Sequence, residues 1–125
     1  MLMTKNQLRE LYKSVRNSIT TEEKNEYDRR IFTRFINSVL YRTSETLLIY
    51  VSFGSETDTI NIIKFALNDG KTVSVPYCSG NEMQFYAIES VEDLVKGRFG
   101  IPSVIPDSYN LIKDFTNSLC VAPAL

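Results

Sequence analysis

The chain has 125 residues, 43% of them apolar and 23% charged, with a net charge of −1. That length suits one domain with one core; the charge excludes a protein that holds nucleic acid by a basic surface, and no apolar run matches a membrane span or a signal-peptide core. Histidine is absent and there are 2 cysteines, which removes the usual base near neutral pH, the commonest transition-metal ligand and any disulfide or zinc framework, so the expectation is a cytoplasmic protein whose chemistry rests on positioning, fixed charge, carboxylates or an oxygen-bound hard cation.

Thr4 can cap a first helix running to about Asn17, with Leu8, Leu11 and Val15 as its apolar face. Lys5, Arg9, Lys13 and Arg16 fall on a different face, in a narrow arc at about 100° per residue. Like charges so spaced cost an isolated helix a few tenths of a kcal/mol per pair, and an anion lying along them would reverse the sign. The alternative is a solvated basic face, relieved by Glu10 and by acids of the next helix. Thr20 and Glu23 fit a capping box that opens a second helix. Tyr27, Ile31, Phe35 and Val39 recur every fourth residue, with Phe32, Ile36 and Leu40 beside them. This stripe reads as core packing, and Arg29, Arg30 and Arg34 as solvated.

Leu47–Val51 is too short for a helix and has the composition of a buried strand. After a loop at Ser52–Thr57, Asp58 or Thr57 can cap a helix whose apolar positions Ile60, Ile63, Ala66 and Leu67 share a face. Gly70 is placed to end it as a left-handed cap. Thr72–Val75 is a second strand, closed by Pro76. Strand, helix and strand within roughly 30 residues make a βαβ unit with parallel strands. Ligands bind beyond the carboxyl ends of such strands, here at Ser52–Thr57 and Tyr77–Asn81. Glu56 is the only carboxylate in the first loop before the helix begins.

A Ser-Gly-Asn turn then leads to a strand at Met83–Ile88, with Met83, Phe85 and Ala87 on one face and Gln84, Tyr86 and Ile88 on the other. Glu89–Val95 is a short polar helix or turn. Lys96–Pro102 is a basic, glycine-containing loop able to cradle phosphate, although it matches no phosphate-loop fingerprint. Leu119–Val121 is a further buried strand, which would end at the same sheet edge if it runs parallel to the others. The expected class is α/β with a mostly parallel, Rossmann-like sheet preceded by two N-terminal helices, in a single domain over residues 1–125.

In this order the chain resembles the 5-formyltetrahydrofolate cyclo-ligases, or methenyltetrahydrofolate synthetases. The residues that carry the resemblance are Lys5-x-x-Leu8-Arg9 with Arg16, Tyr50-Val51-Ser52, Glu56-x-Asp58-Thr59, Gly70-Lys71 leading to Pro76, Met83-x-Phe85 with Ile88, and Gly97-x-Phe99-Gly100-Ile101. It implies a three-layer sandwich and an ATP-dependent, Mg²⁺-requiring ring closure. In that reaction the formyl oxygen of 5-formyltetrahydrofolate attacks the γ-phosphate, ADP departs, the other reacting nitrogen closes the ring, and phosphate leaves to give 5,10-methenyltetrahydrofolate. It places ATP contacts on Lys5, Asn6, Gln7, Leu8 and Arg9, and folate contacts on Val51 and Glu56, where a carboxylate can accept from pterin N–H groups. Helix N-terminal charge pairing is the alternative role for Glu56. Tyr77, Met83 and Phe85 could wall a flat pterin, with core packing the alternative for Phe85. Lys71 reads as structural, and nothing around Cys78 activates it.

The chain departs from the family in two places. Ser103-Val104 stands where members carry Glu-Pro, and the glycine-rich stretch ending in Tyr-Tyr-Asp that follows an Ala-Leu such as Ala124-Leu125 has no counterpart in these residues. That stretch supplies phosphate-binding backbone and a metal-binding carboxylate, so no metal ligand and no catalytic residue is assigned within residues 1–125. The expectation is the N-terminal two-thirds of a cyclo-ligase, compatible with a monomer and with neither nucleic-acid nor membrane partners. A catalytically incomplete nucleotide- or folate-binding fragment, or an interaction module using the second helix's aromatic stripe, is the alternative.

Overall fold

Leu47, Leu48 and Ile49 put apolar side chains on both sides of one short strand, and that strand becomes the middle of the sheet. The structure, a computed structural model, describes residues 4–53, 56–96 and 102–122, without the side chains of Arg16 and Asn17. In chain order its elements are α1 (Lys5–Ser18), α2 (Thr21–Ile36), α3 (Val39–Thr43), β1 (Thr46–Ile49), α4 (Ile60–Asn68), β2 (Thr72–Ser79), β3 (Glu82–Ile88), a 3-10 turn (Val91–Asp93), β4 (Val95–Lys96), β5 (Pro102–Ser103) and β6 (Ser118–Val121). The sheet order is β3-β2-β1-β6; β1 runs parallel to both β2 and β6, and β3 returns antiparallel to β2. The chain thus has the expected α/β fold with a mostly parallel sheet. Three helices rather than two precede β1. Among the described residues no helix is long and apolar enough to cross a membrane.

Paired residues share a face of a sheet and alternate along each strand. The register therefore places Leu47, Ile49, Val73, Val75, Tyr86, Ile88, Leu119 and Val121 together on one side. All of them belong to the core or pack against it, with Tyr41, Ile62, Ile63 and Ala66 from α3 and α4, and Phe32, Phe35 and Ile36 from α2. Fully burying one such aliphatic side chain is worth about 1.5–3 kcal/mol.

Three sequence expectations change. The stripe through Tyr27, Ile31, Phe35 and Val39 does not bury as a unit. Phe32, Phe35 and Ile36 pack inward, while Tyr27, Ile31, Val39 and Leu40 stay exposed. For Val39 and Leu40 the cause is a break: α2 ends at Ile36, and Ser38 caps a new helix by accepting the Tyr41 N–H at 3.3 Å, so both lose the four-residue phase of the preceding turns. Arg29 and Arg30 are not simply solvated, because both bind the Glu26 carboxylate and hold it down to about 2. Nor does Pro76 close β2. The Ala87 N–H donates to Asn110 O and the Ile112 N–H to Phe85 O, so the main chain of Phe85 and Ala87 faces away from β2. Pro76, opposite Phe85, is then a non-hydrogen-bonded pair, and its missing N–H lies on the β1 side, just after the β1–β2 pairing stops at Leu48 and Ser74. The strand runs on to Ser79, and the expected loop at Tyr77–Asn81 shrinks to a Gly80-Asn81 hairpin turn with φ +61° at Gly80.

Other local readings hold. Thr4 and Gln7 cap α1 reciprocally, each main-chain N–H donating to the other's side chain at 2.8 and 3.1 Å. Gly70, at φ +83°, ends α4 with its N–H on Leu67 O and the Lys71 N–H on Ala66 O, a Schellman cap.

Lys71 is structural: its amine donates to Ser44 O and lies 4.4 Å from the centre of the Tyr41 ring. The buried Tyr41 hydroxyl donates to Asp69 Oδ2 at 3.1 Å. Burial, and then the Asp69 carboxylate, push this phenol well above its ordinary range. A raised folded pKa means the unfolded chain releases this proton first, so the stability it confers is complete below about pH 10 and falls as pH rises further. Tyr41→Phe is expected to cost about 1 kcal/mol at neutral pH through the lost hydrogen bond. Its urea midpoint should then fall less steeply above about pH 10 than that of the native chain. Parallel alkaline slopes for the two proteins would contradict this.

Candidate active site

The carboxyl end of β1 opens into a loop closed at its neck by one threonine. Thr59 is 1% exposed. Its hydroxyl donates to Tyr50 O at 2.9 Å and accepts the Ser52 N–H at 2.8 Å, and its own N–H donates to Ser52 Oγ at 3.1 Å. The Tyr50 hydroxyl reaches Thr57 O at 3.1 Å across the same loop. Asp58 then starts α4 by accepting the Ile60 N–H at 3.0 Å, and the Asp58 N–H donates to Asp28 Oδ1 at 3.2 Å. Asp28 is also paired with Lys24, so α2 and the loop are tied at one carboxylate. The helix-opening role foreseen for Asp58 is present, while Thr59, the N-cap by position, makes no side-chain cap bond because its hydroxyl is committed to the neck.

Glu56 lies within this loop. Its Oε1 accepts the Phe53 N–H at 2.9 Å, and its own N–H meets Phe53 O at 3.3 Å. Among the described residues Oε2 has no partner. Val51, two residues past the end of β1, is 7% exposed and part of the core, which leaves its main chain as the part able to meet a ligand.

Among the described residues none of the remaining candidate residues makes a hydrogen bond or ion pair with Glu56. Lys5, Asn6, Gln7, Leu8 and Arg9 lie on the first two turns of α1 and are exposed. Among the described residues neither Lys5 nor Arg9 makes an ion pair, and α1 has no substantial packing contact with another named element. Tyr77 stands opposite Gln84, whereas Phe85 and Met83 stand opposite Pro76 and Cys78. Tyr77 is therefore on the core face, edge-on to Tyr86 with centroids 6.1 Å apart, and Met83 and Phe85 are on the other face. The three cannot wall one pocket. Gly97–Ile101, Ala124 and Leu125 fall outside the described residues. A cleft of about 550 Å³ between α2 and α4, lined by Phe32, Phe65, Asp28 and Asp58, and another of about 510 Å³ beside Glu92 and Asp107 have none of Lys5, Arg9 and Glu56 in their linings. Among the described residues no three of His, Cys, Asp and Glu converge as a metal ion would need. Both cysteines are free and exposed.

The sequence reading missed Thr59 as the neck of the loop and Asp28 as its tie to α2. A polar pair such as Ser52 and Thr59 flanking a loop between strand and helix is the signal that could have found the first. Nothing local marks Asp28, whose second partner is 30 residues away.

These features define an α/β protein with a carboxylate turn beyond β1 and a basic helix whose Lys5 and Arg9 make no ion pair among the described residues. The model of the 5-formyltetrahydrofolate cyclo-ligase family matches residues 2–125, and the chain belongs to that family. A Caenorhabditis elegans protein described as a probable 5-formyltetrahydrofolate cyclo-ligase is 35% identical over 72 residues, which are 58% of this chain and 35% of that protein. The fold is similar to the NMR structure of Aquifex aeolicus 5,10-methenyltetrahydrofolate synthetase, with a TM-score of 0.80 and 20% identity, over 94% of this chain and 59% of that one. The chain thus spans about a third of the length of the one relative and three-fifths of the other.

Proposed function

We propose that this chain carries the nucleotide and folate contacts of an ATP-dependent 5-formyltetrahydrofolate cyclo-ligase. The observation that carries the reading is the family match across residues 2–125. Lys5 and Arg9, four residues apart on one helix face and without ion pairs among the described residues, suit a triphosphate, whose charge would relieve their mutual repulsion. Glu56 suits a reduced pterin: one carboxylate oxygen fixes the turn through Phe53, and the other can accept from a pterin N–H. Phosphoryl transfer asks a protein for alignment and charge neutralisation rather than a histidine. In this role α1 holds the nucleotide while the formyl oxygen bonds to the γ-phosphorus and the bond to ADP breaks; nitrogen attack then closes the ring and phosphate departs. Magnesium is commonly held by one or two carboxylates together with substrate phosphates. Among the described residues no group of three or more His, Cys, Asp or Glu side chains converges, and no step here is assigned to the metal.

A second reading is binding without turnover; the match covers 59% of the solved structure. Calorimetric titration with ATP and with 5-formyltetrahydrofolate, followed by absorbance at the band of the methenyl product, separates the two. Binding with product formation supports the ligase, binding alone supports the fragment, and absence of binding to both ligands contradicts the proposal.

A further inference from the structure

We propose that Asp28 of α2 is a positioning residue for folate, acting through the Glu56 turn, and that only a carboxylate can fill its place. The inference rests on the reading of Glu56 as a folate contact. One peptide group, between Thr57 and Asp58, is held at both poles. Its C=O, from Thr57, accepts the Tyr50 hydroxyl at 3.1 Å, and its N–H, from Asp58, donates to Asp28 Oδ1 at 3.2 Å. In a trans peptide these two groups point in opposite directions. The two bonds therefore grip the plane between the end of β1 and α2.

That plane sets the course of the chain as it leaves Glu56. The Thr59 neck ties the two ends of the loop through Tyr50 O, the Ser52 N–H and Ser52 Oγ, and none of these bonds involves the Thr57–Asp58 peptide. With the Tyr50 bond alone the plane can pivot, and a pivot changes the dihedral angles on either side of it. Glu56, one residue before, is then carried off its bearing. The bond from Asp28, on a separate helix and 30 residues away in sequence, stops that rotation.

The need for a carboxylate follows from its surroundings. Asp28 meets two donors, the Lys24 ammonium at Oδ2 and the Asp58 N–H at Oδ1. Its side chain is 14% exposed, which leaves little room for water to replace either. An ionised carboxylate offers two acceptor oxygens, whereas a carboxamide of the same shape offers one and an NH₂ that only donates. In Asp28→Asn, therefore, one of the two donors faces another donor. The ammonium makes the stronger, charge-assisted bond and takes the single oxygen, so the Asp58 N–H loses its partner and the plane is released. Removing the ammonium as well returns that oxygen to the Asp58 N–H.

Calorimetric titration with 5-formyltetrahydrofolate and with ATP tests this. Asp28→Asn should bind folate about fivefold more weakly than the native chain, and adding Lys24→Met to it should restore folate affinity to within about twofold of native. Lys24→Met alone keeps both oxygens and should bind folate as the native chain does. So should Glu26→Gln, a control on the same helix whose carboxylate pairs with Arg29 and Arg30. ATP affinity should not move in any of them. A purely structural role predicts the reverse for the double variant, which loses one more ion-pairing group and should bind no better than Asp28→Asn. Should Asp28→Asn lose its fold, the double variant decides, by binding folate as the native chain does or failing to. Folate affinity unchanged in Asp28→Asn, a double variant no tighter than Asp28→Asn, or an equal fall for ATP overturns this inference alone. A native chain that binds no folate defeats the reading of Glu56, and the inference falls with it.

Discussion

Thr59→Val is expected to destabilise the chain by about 2–3 kcal/mol and to weaken folate binding without removing any group that touches folate. Valine matches threonine in shape, so the loss isolates the hydroxyl. That hydroxyl is buried and holds Tyr50 O and the Ser52 N–H at once. Its removal deprives both of a partner at the neck of the loop, and a buried polar group deprived of its partner costs about 1–3 kcal/mol. The effect on binding follows from position. The turn carrying Glu56 hangs from this neck, and loosening it spreads the carboxylate over more orientations. Thr59→Ser is the control: it keeps the hydroxyl and gives up one methyl, worth about 0.8 kcal/mol. Urea unfolding, read as a fall in midpoint at constant slope, measures the difference. A valine variant no less stable than the serine variant would contradict the account of the neck.

The second large effect is expected at the proposed contacts themselves. Glu56→Gln should weaken 5-formyltetrahydrofolate binding about 10–100-fold, the loss of a hydrogen bond to a charged group being worth roughly 1.5–3 kcal/mol. Glutamine retains a carbonyl oxygen for the Phe53 N–H, so the turn survives and the change reports on charge. ATP affinity should not move. Lys5→Ala and Arg9→Ala should do the opposite, each lowering ATP affinity about tenfold and leaving the folate titration unchanged. Calorimetry on the same preparations reads both ligands. If the three substitutions affected both ligands equally, the division of labour between helix and turn would be wrong.

Much of the fold was legible because it is written in local signals. The run at Leu47–Ile49, the glycine at position 70 and the alternation at Met83–Ile88 each specify structure within a few residues. The failures have different causes, one distant and one local. Pro76 reads locally as a stop, yet the strand continues because β3 stays paired with it as far as Ser79. Val39 keeps the spacing of the α2 stripe, yet Ser38 restarts the helix and turns it outward. The candidate site was proposed from the same kind of local signal. Glu56 stands out as the lone carboxylate of its loop, and Lys5 and Arg9 as a basic arc. Tyr77, Met83 and Phe85 looked like one wall until the hairpin register put Tyr77 on the opposite face. Thr59 was marked only by the polar pair it makes with Ser52 across the loop, since its importance lies in closing a loop whose other end is Tyr50.

The central claim is that the basic arc of α1 and the Glu56 turn serve one nucleotide–folate site. Proton–nitrogen correlation spectra of the chain saturated with 5-formyltetrahydrofolate, compared with ATP complexed to paramagnetic manganese and to magnesium, test it most directly. The account predicts that manganese selectively broadens the amides of Lys5–Arg9 and of the Glu56 turn in the same titration. Broadening of the α1 amides while the Glu56 turn stays sharp, or broadening confined to other elements, would contradict it.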